Sequence, residues 1–269
     1  MKIMIMSDME GSAGVLNLTD WAEADGRYYD KGKRLLTEEV NAAIAGLCAG
    51  GATELVVVDG HGGGMGIDPE LLDERAWLAC GRGAQVWPWG LDKTFAGLAF
   101  VGQHAKAGTP YSHITHTQTF EYLDIAINGL SIGEYGQFAL CAMELGVPTI
   151  LACGEEALAR EAEALTPGVV TVAIKRGLLP DGLDRLGGDS YSKAKLSAIH
   201  RTPGQARKLI REGAEKAVRL LAKNPSTFHY PALNPPFSCV CRYRPKGDKP
   251  AYESVATHHG SIIALMNML

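Results

Sequence analysis

Three short apolar runs in the first half of the chain each stop at residues that can bind a metal ion. Ile3-Met4-Ile5-Met6 is followed by Asp8 and Glu10, Leu55-Val56-Val57-Val58 by Asp59 and His61, and Leu98-Ala99-Phe100-Val101 by His104. None of these runs alternates apolar with polar residues, so both faces are buried, the mark of a central parallel strand. Between the first two lies a helical period from Lys33 to Cys48, carried by Leu35, Leu36, Val40, Ile44 and Leu47 and stopped by Gly50-Gly51. Strand, helix and strand make a right-handed crossover with the helix on the sheet face. The expected fold is α/β in three layers, a mostly parallel sheet flanked by helices.

The pattern continues with a strand at 123–127, the turn Asn128-Gly129, a helix from Glu134 to Leu145, a strand from Pro148 to Cys153, a helix over 155–165 and a strand from Val169 to Ile174. Thr202-Pro203 puts proline at the first position of an amphipathic helix that ends before Asn224-Pro225. Two strand-like runs follow near 237–243 and 252–257. A soft boundary near residue 200 separates a metal-binding α/β region, 1–200, from a smaller α+β C-terminal part, 201–269, that packs on it; a single domain is the alternative.

Composition narrows the partners. With 46% hydrophobic and 21% charged residues and a net charge of −4, the chain is globular and has no electrostatic footprint for nucleic acid or an anionic membrane. Small polar ligands are the default. The six cysteines are scattered without C-x-x-C spacing, so reduced, mostly buried thiols are expected. The apolar stretch before Asp8 is too short for a secretory leader, which points to the cytoplasm. Glycine is in excess, 32 residues of 269, or about 12% against about 7% on average, and it gathers around Asp8, His61, His104 and Glu134.

In open α/β sheets ligands lie beyond the carboxyl ends of the strands, so these side chains should converge, with Glu134 joining them at the start of a helix. Each residue taken alone has an ordinary structural reading: a carboxylate at a strand end caps a loop, Glu134 suits a helix N-terminus, and a histidine after an apolar run is a boundary residue. The recurrence at three strand ends carries the metal reading. The period-2 spacing of Asp8 and Glu10 sends both carboxylates to one side if the strand stays extended. Mixed oxygen and nitrogen donors suit zinc, with manganese or cobalt as alternatives.

The segments Ser7-Asp8-Met9-Glu10-Gly11, Thr37-Glu38-Glu39-Val40-Asn41-Ala42-Ala43-Ile44, Val58-Asp59-Gly60-His61-Gly62, Gly102-Gln103-His104-Ala105, Thr115-His116-Thr117 and Asn128-Gly129 through Gly133-Glu134 resemble the M55 metallopeptidases, the D-aminopeptidase family, in order and spacing over about residues 1–175. The resemblance implies a dinuclear zinc site in which Asp8 bridges, Glu10 and His61 complete one metal, and His104 and Glu134 complete the other. It further implies that His116 is the catalytic histidine beside the metals and that the chain assembles as a homodecamer around an inner channel. The sequence departs from the family pattern at Gly60, commonly serine, and in the glycine run Gly62-Gly63-Gly64-Met65-Gly66.

On this reading the chain is a zinc-dependent aminopeptidase acting on short peptides or aminoacyl amides, with D-residues accepted. Alternatives are a dinuclear-metal amidase or phosphoesterase, or a metal- or peptide-binding protein without turnover. His116 is preferred to His113 for proton transfer on family spacing, and Asp59 is expected to orient His61 or its loop rather than bind metal. Trp77, Trp87 and Trp89 form a candidate pocket group. Cys153 is expected to be a buried, inert thiol, and the adjacent His258 and His259 should face opposite ways.

Overall fold

The computed structural model describes residues 1–81 and 86–269. Strand β1 (Lys2–Ser7) leads through a loop and a short helix α1 (Leu18–Trp21) into α2 (Tyr29–Gly50), and β2 (Glu54–Asp59) returns parallel to β1. Next come β3 (Ala76–Ala79), β4 (Gly97–Gln103), the hairpin of β5 (Tyr122–Ile127) and β6 (Leu130–Ile132), and α3 (Glu134–Leu145). β7 (Thr149–Glu155), α4 (Glu156–Leu165) and β8 (Val170–Gly177) complete the crossovers. The remaining elements are α5 (Gly188–Ser192), β9 (Ala198–His200), α6 (Pro203–Lys223), β10 (Phe237–Tyr243), β11 (Tyr252–His258) and α7 (Ile262–Met266).

Among the described residues these strands form two sheets. The larger runs β3-β2-β1-β4-β7-β8-β9, parallel except for β9, and the smaller, antiparallel sheet runs β11-β10-β5-β6. From β1 the chain builds outward to β2 and β3 on one side and to β4, β7 and β8 on the other. The order therefore reverses between β1 and β4, and the crevice beyond their carboxyl ends is the ligand position of such a sheet.

The continuous apolar runs are explained by two cores. Ile3, Ile5, Val57, Ala99 and Val101 point to one, shared with Leu36, Val40 and Ile44 of α2 and Ile210 and Val218 of α6. Met4, Met6, Val58, Leu98 and Phe100 point to the other, against Phe138 of α3, Leu158 of α4 and Ile127 and Cys239 of the small sheet. A strand with a core on each face has no reason to alternate. β3 is invisible in the sequence because it is a short edge strand whose Trp77 is 74% exposed. Helix α2 starts one turn before the expected Lys33, where Tyr29 is buried. The C-terminal elements join existing layers: α6 lies on the α2 face, and β10 pairs with β5.

The loops after β1 and β4 cross at main-chain contact. Asp8 N–H donates to Val101 O (3.0 Å) and Gly11 N–H to Gly102 O (2.7 Å). Gly102 has φ +74°, and a Cβ there would overlap the Asp8 carbonyl oxygen. Gly102→Ala combines a left-handed backbone with this overlap, a destabilisation of about 2–4 kcal/mol. It should lower the thermal midpoint by roughly 5–15 °C; a calorimetric midpoint equal to the parent would show that the crossing can relax.

Candidate metal centre

β1 ends at Ser7, and the chain turns at Met9 rather than continuing extended: Ser12 N–H donates to Met9 O (3.0 Å) while the Met9 side chain is fully buried in the core. Asp8 and Glu10 are thus brought together by a turn around a buried methionine, not by strand periodicity. His61 opens a single 3₁₀ turn beyond β2, and three consecutive left-handed glycines, Gly62, Gly63 and Gly64, follow it. Asp59 faces this loop and accepts the Ile67 N–H at 2.8 Å, which makes it a loop anchor. His104 follows β4, and Glu134 is the first residue of α3.

All five predicted ligands meet in the crevice. His61 Nδ1 lies 3.2 Å from Asp8 Oδ1 and 3.0 Å from Glu10 Oε2. His104 Nε2 lies 3.3 Å from Asp8 Oδ2 and 3.5 Å from Glu134 Oε1. Candidate donor atoms of Asp8, Glu10 and His104 fall within 4.8 Å of one another, as do those of His104, His116 and Glu134. Asp8 reaches both halves, one oxygen toward each histidine, as a bridging carboxylate would.

The tautomers are set from outside the cluster. Ala22 O sits 2.6 Å from His61 Nε2, Ala105 O 2.8 Å from His104 Nδ1, and Ile114 O 3.0 Å from His116 Nδ1. A carbonyl only accepts, so each of these nitrogens carries the proton and the other nitrogen of each neutral ring turns a lone pair inward, toward carboxylates. Lone pairs facing carboxylates repel unless a proton or a metal ion lies between them. Glu10 Oε2 and His104 Nε2 are fully buried without a hydrogen-bond partner. This donor set, oxygen and imidazole nitrogen with orphaned atoms converging, fits zinc.

Burial opposes every charge here, and the partners decide the outcome. Burial and the neighbouring Glu10 raise the Asp8 carboxyl to about 7. Burial pushes Glu10 the same way, but His61 holds it well below the usual carboxylate range. Burial is likewise overcome at Glu134, which His104 holds at about 2. His61 and His104 are lowered by burial yet lifted well above their ordinary value, by Glu10 and Glu134 respectively. His116, lowered by burial and by the adjacent His104, ends below it.

His116 is sandwiched between His104 and Phe120, with ring centroids 4.3 and 4.4 Å apart, and its Nε2 lies 3.8 Å from Glu134 Oε1. His113 points elsewhere: its Nε2 reaches Leu16 O at 3.2 Å, its ring meets His200 edge-on, and burial drives it down to about 2. An open pocket of about 640 Å³ leads to the cluster, walled by Leu18, Tyr29, Trp89 and Phe120, with Glu23 and Asp25 at its edge. Trp87 and Trp89 line a smaller recess behind Asp8 and Glu134, whereas Trp77 is on the exposed edge strand. Cys153 is fully buried and its thiol is raised well above the ordinary value by burial, so it is inert. His258 Nδ1 accepts from Ser261 N–H (2.9 Å) at the start of α7.

Several residues of the site were not visible in the sequence. Gln103 donates to Asp8 Oδ2 (2.8 Å) and Glu161 accepts the N–H groups of Lys106 and Gly133 (2.8 and 3.0 Å). Glu155 accepts from Ala105 and His113 (both 2.8 Å). Lys175, fully buried, donates to the Glu10 carbonyl. A buried carboxylate at the end of a strand or inside a helix carries no local pattern, and Gln103 alone, adjacent to the predicted His104, could have been inferred.

A family model described as Peptidase_M55, D-aminopeptidase, matches residues 1–246, well beyond the span read from motifs. A D-aminopeptidase of Bacillus subtilis (strain 168) is 36% identical over 180 residues, 65% of this chain and 64% of that protein, so the chain spans just under two thirds of this relative. A solved structure described as the Zn-dependent D-aminopeptidase DppA from Bacillus subtilis, a self-compartmentalizing protease, superposes with a TM-score of 0.84 at 24% identity over 100% of this chain and 95% of that one, and so shares the fold.

The protonation pattern predicts how metal is taken up. His61 and His104 are raised, hence protonated in the metal-free protein at neutral pH, and a cation must displace those protons. Asp8, raised to about 7, is about half protonated there too, so zinc binding at pH 7 should release about two to three protons per chain and weaken as pH falls. Calorimetry in buffers of different ionisation enthalpy measures this; release of less than one proton would overturn the assignment of these nitrogens as ligands.

Proposed function

Because the chain belongs to the M55 D-aminopeptidase family, we propose that it is a dinuclear zinc aminopeptidase that removes the N-terminal residue from short peptides or aminoacyl amides and accepts D-residues. The observation that carries this reading is the set of inward imidazole nitrogens facing Asp8, Glu10 and Glu134. Asp8 would bridge, Glu10 and His61 would hold one ion, and His104 and Glu134 the other. Three carboxylates against two divalent ions would leave a net charge of about +1 rather than +4, a smaller burden for a buried site. Once bound, the ions would supply Lewis acidity to polarise the scissile carbonyl.

The chain's own residues do the rest. His116 keeps its Nδ1 proton on Ile114 O, so Nε2 is the atom that takes and delivers a proton. Burial and His104 hold the ring below its ordinary value, so it meets substrate at neutral pH as a base, able to collect a proton and pass it to the departing amine. The Phe120 and His104 rings fix its plane. Trp89, Leu18 and Phe120 exclude water from one side of the pocket. The chain would work as a homo-oligomer, a decamer on family resemblance; the Bacillus subtilis structural neighbour is described as self-compartmentalizing.

His116 also lies within ligand distance of His104 and Glu134, and one variant separates the two roles. His116→Ala should retain two zinc ions per chain while kcat on D-aminoacyl amides falls roughly 10²- to 10⁴-fold. Elemental analysis and steady-state rates measure both. Loss of one zinc would make His116 a ligand, and an unchanged kcat would remove it from the chemistry. Wild-type protein that binds zinc but cleaves no D- or L-aminoacyl amide or dipeptide would overturn the peptidase reading.

A further inference from the structure

Glu155 closes β7, the neighbour of β4, and its side chain is fully buried. Gly154 before it lies so close to the end of β4 that a Cβ would overlap the Gln103 carbonyl. From there the carboxylate reaches the loop joining His104 to His116. Oε1 accepts Ala105 N–H at 2.8 Å and the Thr115 hydroxyl at 3.2 Å, and Oε2 accepts His113 N–H at 2.8 Å.

These contacts fall on the residues whose carbonyls orient the two imidazoles. Ala105 donates its N–H to Glu155 and offers its carbonyl to His104 Nδ1 at 2.8 Å. Ile114 lies between the two residues clamped on the far side, and its carbonyl holds His116 Nδ1 at 3.0 Å. Ile114 has φ +55°, an outlier for a β-branched side chain that persists only where its surroundings enforce it. Clamping His113 and Thr115 on either side supplies that enforcement. We infer that Glu155 is a positioning residue that aims His104 and His116 together into the metal centre, through the carbonyls of Ala105 and Ile114. The inference rests on the peptidase reading above and adds to it a residue that touches neither metal nor substrate.

The two ends of the carboxylate are both needed. A glutamine at 155 keeps one acceptor oxygen and turns an amide N–H₂ toward the remaining main-chain N–H. Balancing the buried ammonium groups of Lys175 and Lys195, which also lie in its field, is the purely structural role to be separated. Thr115→Val makes that separation, because it keeps the charge and removes only the hydroxyl contact.

The test uses full-length wild type, Glu155→Gln and Thr115→Val, stripped of metal and reloaded with cobalt(II). In Glu155→Gln the visible cobalt bands should shift or change intensity, zinc affinity should fall about 10- to 100-fold, and kcat should fall by a similar factor with KM within about 2-fold. Thr115→Val should lower kcat about 5-fold with its thermal midpoint and KM retained. Wild-type cobalt spectra, zinc affinity and kcat in both variants would overturn the inference. If Glu155→Gln fails to fold, Thr115→Val decides alone, and a parental spectrum and kcat there overturns it. Wild-type protein that takes up no cobalt overturns the metallopeptidase reading itself, an outcome distinct from variants that differ from a metal-binding parent.

Discussion

Each imidazole at the centre of this molecule is tied at one ring nitrogen to a backbone carbonyl, and that tie decides where the other nitrogen points. His61 is held by Ala22, His104 by Ala105 and His116 by Ile114. With the outer nitrogens tied, the inner ones face Asp8, Glu10 and Glu134 in a buried crevice, an arrangement that needs positive charge between them, supplied by protons on His61 and His104 in the metal-free chain. The fold holds so many buried ionisable groups in place because the surrounding main chain is over-determined.

That over-determination comes from carboxylates that are not themselves in the centre. Asp59 holds the loop after His61, Glu155 the loop after His104, and Glu161 both that loop and the entry to α3 at Gly133. Glu39 of α2 does the same for the loop after β1, accepting Ala13 N–H at 2.9 Å. Loops that bear the proposed ligands are therefore anchored by carboxyl acceptors on the rigid scaffold, which gives them the precision a metal site needs. The glycines serve a related end at Gly11 and Gly102, where the two loops carrying the proposed ligands Asp8, Glu10 and His104 cross at main-chain contact and a side chain on either would force them apart.

Much of this was legible from residues alone. The apolar runs ending in Asp8, His61 and His104 implied central parallel strands and converging side chains, and the helix from Glu134 to Leu145 begins and ends where expected. The expectation about Asp8 and Glu10 reached the right outcome by the wrong route, since buried Met9 and a turn bring the carboxylates together. Trp77 was grouped with Trp87 and Trp89 by proximity in sequence, but it sits on an exposed edge strand too short to leave a pattern. Glu155 and Glu161 had no signal because they act mainly on main-chain N–H groups distant in sequence, whereas Gln103, which donates to the Asp8 side chain, at least adjoins the predicted His104.

By itself the sequence determined the residue types of the site and the strand ends that carry them, because hydrophobic patterning and donor chemistry are local properties. It also determined the family, through separated motifs in register. Family spacing already favoured His116 over His113, but no local pattern gave the reason; only the tertiary structure decided what turns the two rings apart, which ring nitrogen faces inward and which carboxylates act as anchors. His113 and His116 are three positions apart on one loop, and what separates them is the φ +55° backbone of Ile114 and the grip of Glu155 on either side of it. Both arise from long-range contacts that no local pattern encodes.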